Sequence, residues 1–395
     1  MPRAQQPQPP VKEHTETKTS AHRCEFTTTQ EHFARALRIV GGVAGKNPAL
    51  PVLGHVLLKR EQNQLRLSTT DLEVGVTAWL PGKLRGDGAL TVPLRPLAEY
   101  VQNLPLGAVT LLIERGTLTV NAERAHAVFQ GESAENFPLI PYLNTGDDIA
   151  LPTHNTRHAL EMVLYAVASD DTRPELAGVC LCGEGSTLTL AATDSYRLAE
   201  AHIPLAAALP MPFSVILPRR AAQEVHRALE GAESATLRMS EGQVLLLTPT
   251  LHVVSRRVEG TYPDYAQIIP KNQPTSFEID RASLLRAIRA SAVFSGNTTN
   301  RVVFDVGSDA LRVAATTPEM GETETRLPAD VEGAPVTIAF NERFLRDALS
   351  TMTADRVRIH LGSSATPAVF RPVSPPTKKV QDAVSMLALI MPIKG

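Results

Sequence analysis

Apolar residues recur at helical spacing along Leu217–Gly231. Ala221, Ala222, Val225, Ala228 and Leu229 share one face of a 3.6-residue period. Pro218 suits a first helical turn and Gly231 a C-terminal stop. The polar side holds Arg220, Gln223 and Arg227. The same pattern returns along the chain. Equivalent apolar anchors are Phe33, Leu97, Leu160, Ala221, Leu284 and Leu345, separated by 64, 63, 61, 63 and 61 residues. Six helices are predicted, at Glu31–Val40, Val92–Leu104, Asn155–Ala168, Leu217–Gly231, Arg281–Ser291 and Glu342–Met352. Between them, alternating apolar and polar runs broken by turn residues predict antiparallel hairpins, as over 55–80, 110–131, 178–205 and 235–260.

A longer period sits on the short one. STTDLE, AATDSYR and AATTPEM each end a strand and open a turn, and their equivalent members Asp71, Asp194 and Pro318 lie 123 and 124 residues apart. That is twice the helix period, so a pair of helix-plus-strands units makes one domain. The expected organisation is α+β, with three pseudo-repeated domains of two helices packed on antiparallel sheets. The expected boundaries are a disordered extension at 1–22, a first domain at 23–146, a second at 147–273 and a third at 274–395. Closed symmetric assembly of such a chain gives a ring.

Composition narrows the function. Among 395 residues, 39 Lys and Arg face 41 Asp and Glu, a net charge of −2, so any basic surface is local. The helices carry Arg35, Arg38, Arg95, Arg157, Arg219, Arg220, Arg227, Arg286, Arg289, Arg343 and Arg346. From periodicity alone these are either a shared functional surface or ordinary solvated faces. The three cysteines, Cys24, Cys180 and Cys182, are too few for a disulfide framework and point to a reducing compartment. Cys180 and Cys182 share one face of a strand and read as structural thiols. No apolar run is long enough to cross a bilayer, and the N-terminus lacks a signal-peptide core, so a cytoplasmic location is expected.

Catalytic chemistry is hard to find. Gly41–Asn47 nearly matches a phosphate-cradling loop, but Val40 stands where glycine is needed and Asn47 where Ser or Thr is needed. Asp147–Asp148 and Asp170–Asp171 are adjacent carboxylates, whereas a two-metal site draws its carboxylates from separate strands. A nuclease or nucleotidyl-transferring enzyme using Asp71, Asp170 and Asp194 is one reading, and a repeat-built peptide-binding scaffold is another. No nucleophile, metal or cofactor motif occurs.

Several motifs together resemble one family. ALPVLG with TTDLE, ATDSYRLA, VILPRR, GTYPDYAQIIPKN and the terminal MPI are similar to the bacterial sliding clamp, the beta subunit of the replicative DNA polymerase holoenzyme. The resemblance spans residues 24–395. It implies a non-catalytic processivity subunit without cofactor or metal, a head-to-tail homodimeric ring with helices lining the pore, and sequence-independent contact with duplex DNA. Lys46 and Asn47 join the helix arginines as expected DNA-facing residues. The resemblance also implies a cleft between the second and third domains for polymerase, clamp-loader, repair and translesion partners. Its expected wall is Leu176, Thr193, Ser195, Tyr196, Arg197, Leu198, Pro263, Gln267, Ile268, Pro367, Leu389, Ile390, Met391, Pro392, Ile393 and Lys394. Ser195–Tyr196 replace the common Gly-His, Gln267 replaces a basic residue and Pro367 a serine. The expected dimer seam is Arg124, Ala127, Phe129, Val293, Phe294, Glu319, Glu322 and Glu324.

Overall fold

The computed structural model describes residues 23–45, 50–170, 172–240, 242–296, 300–373 and 384–393. The expected extension at 1–22, together with Lys46, Asn47, Asp171 and Lys394, lies outside them. Six helices form where the apolar period placed them: α1 (Gln30–Val40), α2 (Leu94–Gln102), α3 (Thr153–Leu164), α4 (Arg219–Ala228), α5 (Arg281–Ala292) and α6 (Glu342–Thr351). Local chemistry sets their starts. Thr29, Asp280 and Asn341 each accept a backbone N–H of the first turn of α1, α5 and α6, satisfying donors that a helix start leaves open. The helices pack in pairs, α1 with α2, α3 with α4 and α5 with α6, against the strands. Their anchors Phe33, Leu97, Leu160, Ala221, Leu284 and Leu345 are all buried in one continuous core.

All ladders between the described strands are antiparallel. Two sheets cross the domain boundaries. An eight-stranded sheet is joined where Leu251–Arg256 of the second domain pairs with Val74–Leu80 of the first. A nine-stranded sheet is joined where Ser385–Ile390 pairs with Arg197–Pro204, aligning Leu198 with Leu389. A five-stranded sheet ends at the edge strand Ala125–Gln130, and a four-stranded sheet at the edge strand Gly321–Pro328. Tight turns hold this register. Arg115 and Gly116, both at positive φ, make the two-residue link between Ala108–Glu114 and Thr117–Ala122.

Between its first two members the repeat is reproduced bond for bond, whereas Pro318 at the third offers no carboxylate. Asp71 accepts the backbone N–H groups of Glu73 and Val74 at 3.0 and 2.7 Å, and Asp194 accepts those of Tyr196 and Arg197, each at 3.0 Å. Leu72 and Ser195 occupy the same position of the turn at φ 81° and 75°. Among the described residues no helix is long and apolar enough to cross a membrane.

Candidate nucleic-acid interface and peptide cleft

The helix arginines divide by what already holds them. Arg35, Arg38 and Arg95 converge on a groove of about 490 Å³ between α1 and α2. All three are exposed, and among the described residues none makes an ion pair, which leaves their guanidinium donors open to an anion. Arg219 and Arg289 are likewise without an ion pair among the described residues, and Arg286 donates only to Ser283 at 2.8 Å.

Other expected DNA-facing residues are engaged within the chain. Arg220 pairs with Asp71 at 2.7 Å and donates to the Val43 carbonyl, joining α4 to the first domain. Arg227 pairs at 2.6 Å with Glu224, which is buried. Burial pushes the Glu224 carboxyl up, against the pull of Arg227. A side chain at Gly42, in the loop after α1, would meet the ends of the Arg227 and Glu224 side chains, which would have to move aside. Arg343 and Arg346 both lean on Glu342, at 4.0 and 3.5 Å. Arg157 is half-buried, with its Nε sealed from solvent.

The second site is built on the sheet that joins the second and third domains. Along Ser385–Ile390 the side chains alternate: Met386, Ala388 and Ile390 enter the main core. Leu387 and Leu389 form a separate cluster with Leu198 and Val369, bordered by Tyr265, Ile269 and Met391. Leu198 and Leu389 are therefore the buried floor of the expected cleft and not its surface, and Ile390 lies in the main core on the other face of the strand. Its exposed apolar groups are Tyr196, 64 % exposed, and Ile268, 46 % exposed, with Met391, Pro392 and Ile393 half-buried. The tail is pinned by the Met391 N–H, which donates to the Tyr196 carbonyl at 2.9 Å, and by the Ile393 N–H, which donates to the Ala339 carbonyl at 2.8 Å.

The remaining wall residues fall around this floor. Leu176 and Thr193 are buried, and Ser195, Pro263 and Gln267 are exposed. Gln267 donates to Asp264 at 2.7 Å, which turns its amide away from the role of a free donor. Pro367 is half-buried and its carbonyl accepts from Gln273 at 3.1 Å.

Arg197 is only 13 % exposed. It pairs with Asp194 at 3.0 Å and with Asp347 of α6 at 2.7 Å, and it stacks on Phe344 at 4.6 Å and Tyr165 at 5.3 Å. Asp347 and Phe344 of α6, and Tyr165 just past α3, escaped the sequence reading. Their only signal was the repeat itself, because the Asp194 turn meets α6 as the Asp71 turn meets α4.

The expected seam residues lie on the two edge strands, in the turns that lead into them (Arg124 and Glu319), and beyond α5. Ala127 and Phe129 are half-buried on Ala125–Gln130, and Phe129 packs edge-on against Tyr100 at 5.7 Å. Val293 is 59 % exposed, while Phe294 packs on the core. Arg124, Glu319 and Glu322 are exposed. Glu324 is already held by Arg312 and Arg326, at 2.7 and 2.8 Å. Those two guanidinium groups keep its carboxyl below the usual range. Among the described residues, no group of three or more His, Cys, Asp or Glu is placed to hold a metal ion, and Asp71 and Asp194 serve as turn caps.

Comparison with known proteins covers nearly the whole chain. Family models for the DNA polymerase III beta subunit match its N-terminal domain at residues 24–141, its central domain at 150–264 and its C-terminal domain at 266–387. The beta sliding clamp of Synechococcus elongatus is 30 % identical over 374 residues, covering 92 % of this chain and 98 % of that protein. That of Vibrio cholerae is 29 % identical, covering 94 % of this chain and all of that protein. Among solved structures, the sliding clamp of Pseudomonas aeruginosa bound to griselimycin superposes with a TM-score of 0.86 at 26 % identity, over 94 % of this chain and all of that one. By sequence and by fold, this chain belongs to the beta sliding clamp family of DNA polymerase III beta subunits.

Proposed function

We infer that this chain is a DNA sliding clamp, a non-catalytic processivity factor that closes as a head-to-tail homodimer around duplex DNA. One observation carries the reading. In each internal junction, the strand after the Asp turn (Val74–Leu80, then Arg197–Pro204) pairs with the strand that ends another half-domain (Leu251–Arg256, then Ser385–Ile390). The third members of these two series are Gly321–Pro328 and Ala125–Gln130, and both are sheet edges with an open ladder. Long open edges are a liability unless they are paired. Pairing one with the other across two copies makes a nine-stranded sheet, the size of the junction between the second and third domains, and closes the ring. Arg124, Ala127, Phe129, Val293, Phe294, Glu319 and Glu322 would then meet at the seam.

Closure gives the open arginines their role. Arg35, Arg38, Arg95, Arg219, Arg286 and Arg289 face the phosphate backbone and read no bases. Holding is topological, so each contact is weak and the ring slides. The apolar surface around Tyr196, Ile268 and Met391 receives a short apolar segment of the replicative polymerase catalytic subunit, the clamp loader, or repair and translesion polymerases, in the cytoplasm. Leu and Met side chains suit such an adaptable groove. The test is retention on DNA. Protein loaded on a closed duplex circle should stay at moderate salt and be lost once the circle is cut. Equal retention on cut and closed DNA rejects the reading.

A further inference from the structure

A thiol pair lies beneath the cleft wall. Cys180 and Cys182 are neighbours on one face of the strand Gly178–Glu184, with their sulfurs 3.3 Å apart. Ser214, on the adjacent strand, lies 3.4 Å from the Cys182 sulfur and 3.7 Å from that of Cys180. Cys180 is buried, whereas Cys182 is half-buried and accessible. The S–H of Cys180 donating toward Cys182 holds the Cys182 thiol down and, with burial, pushes Cys180 up. Of the two, Cys182 is the thiol that an oxidant from solution can reach, with Cys180 behind it to resolve.

The pair is joined to the cleft by packing. Cys180 belongs to a small cluster with Leu176, Ala191, Ile216 and Tyr262, on which Cys182 and Tyr265 also pack. Tyr265 packs equally on the cleft floor of Leu198, Leu387 and Leu389, and its hydroxyl donates to Glu200 at 2.8 Å. Tyr262 and Tyr265 begin the segment that carries Pro263, Gln267 and Ile268.

We propose that Cys180 and Cys182 form a redox-active dithiol, oxidised by a hydroperoxide to a disulfide within one strand, and that this oxidation is read out at the 262–268 wall of the cleft. The Cys182 thiolate attacks the hydroperoxide, the O–O bond breaks, and an alcohol or water leaves with a sulfenic acid on Cys182. Cys180 then attacks that sulfur and water leaves. Two thiols supply the two electrons that the hydroperoxide accepts. Residues two apart in a strand are separated by roughly 6.6 Å, the upper end of what a disulfide spans. Closing the bond draws the strand into a bulge and displaces Tyr262 and Tyr265. A strained bond of this kind is readily reduced, so the switch is reversible. The readout at the cleft rests on the function proposed above, whereas the thiol chemistry does not.

The test uses the full-length protein treated with hydrogen peroxide. The expected result is loss of two hydrogens in intact mass, mapped to the peptide holding Cys180 and Cys182, reversed by dithiothreitol and absent in Cys182→Ser. In Cys180→Ser, dimedone should trap a sulfenic acid on Cys182. Backbone hydrogen exchange over 262–268 should rise in the oxidised wild type and stay unchanged in treated Cys182→Ser. Retention of both free thiols after peroxide overturns the dithiol. A disulfide that leaves exchange over 262–268 unchanged overturns the coupling. Neither measurement requires a partner peptide, so failure of the cleft reading is seen separately.

Discussion

The Arg197 guanidinium donates to Asp347 at 2.7 Å across the boundary between the second and third domains, stacked between Phe344 and Tyr165. The first boundary has the same latch with its charges exchanged, Asp71 on the turn and Arg220 on the helix. Arg197→Ala should cost about 2 kcal/mol, read as a lower urea midpoint. That is below the roughly 3–5 kcal/mol for breaking a fully buried pair. Asp347 is 37 % exposed, and water screens it once its partner is gone. An unchanged midpoint would mean that the latch contributes nothing.

Arg220 and Asp71 predict a different signature. Arg220→Ala and Asp71→Asn should be non-additive, with a coupling of about 0.5–1 kcal/mol in urea unfolding, a modest figure because Arg220 is 42 % exposed. Binding to a short linear duplex should keep its salt dependence in Arg220→Ala. Replacing Arg35, Arg38 and Arg95 together with Ala should lower the slope of log K against log salt by about 0.9 for each phosphate no longer neutralised. Equal slopes in the two variants would show that the free and the latched arginines do not differ.

Burial holds the His252 imidazole down to about 4. Its ring packs against Trp79 at 4.4 Å and Tyr142 at 5.7 Å, beside a groove of about 730 Å³ on the sheet joining the first two domains. The unfolded chain binds a proton at His252 near pH 6.5, whereas the folded chain does so only near pH 4. The contribution is complete above pH 6.5 and is lost as pH falls toward 4, up to about 3 kcal/mol. His252→Phe keeps the ring packing and should flatten the fall of the urea midpoint between pH 7 and 4.5. A fall as steep as wild type would assign the effect to other groups, such as His226 and His360, which burial also lowers.

Removing Met391–Gly395 deletes the two backbone bonds that pin the tail to Tyr196 and Ala339. Affinity for a labelled peptide from the cognate polymerase should fall at least tenfold, about 1.4 kcal/mol, by fluorescence anisotropy. Sedimentation should still give a dimer. Unchanged affinity would move the partner site away from the tail.

Much of this was legible along the chain, because it depends on local periods. The anchors from Phe33 to Leu345 repeat at one spacing, and a buried helical face follows from that spacing alone. The Asp71 and Asp194 turns were visible as a repeat because each carboxylate caps its own turn. What stayed hidden depends on distant partners. Nothing near Arg197 in sequence announces Asp347, 150 residues away. Arg220 and Arg35 look alike as helix arginines until Asp71 is seen on one and open space beside the other. Leu389 looks like a binding residue in a terminal apolar run, but strand pairing with Leu198 places it beneath the surface.

The seam prediction separates assembly from folding. Val293 is 59 % exposed in the single chain, so an aspartate there costs the folded protomer little. If Val293 is covered by a second copy, the same aspartate buries an unpaired charge at an apolar contact, which costs several kcal/mol. Val293→Asp should sediment as a monomer while its urea midpoint, taken at a concentration where the wild type is also monomeric, is unchanged. Such a monomer should bind the polymerase peptide normally yet fail to remain on closed circular DNA. A dimer as tight as wild type would place the seam elsewhere, and the open edges Ala125–Gln130 and Gly321–Pro328 would then need another partner.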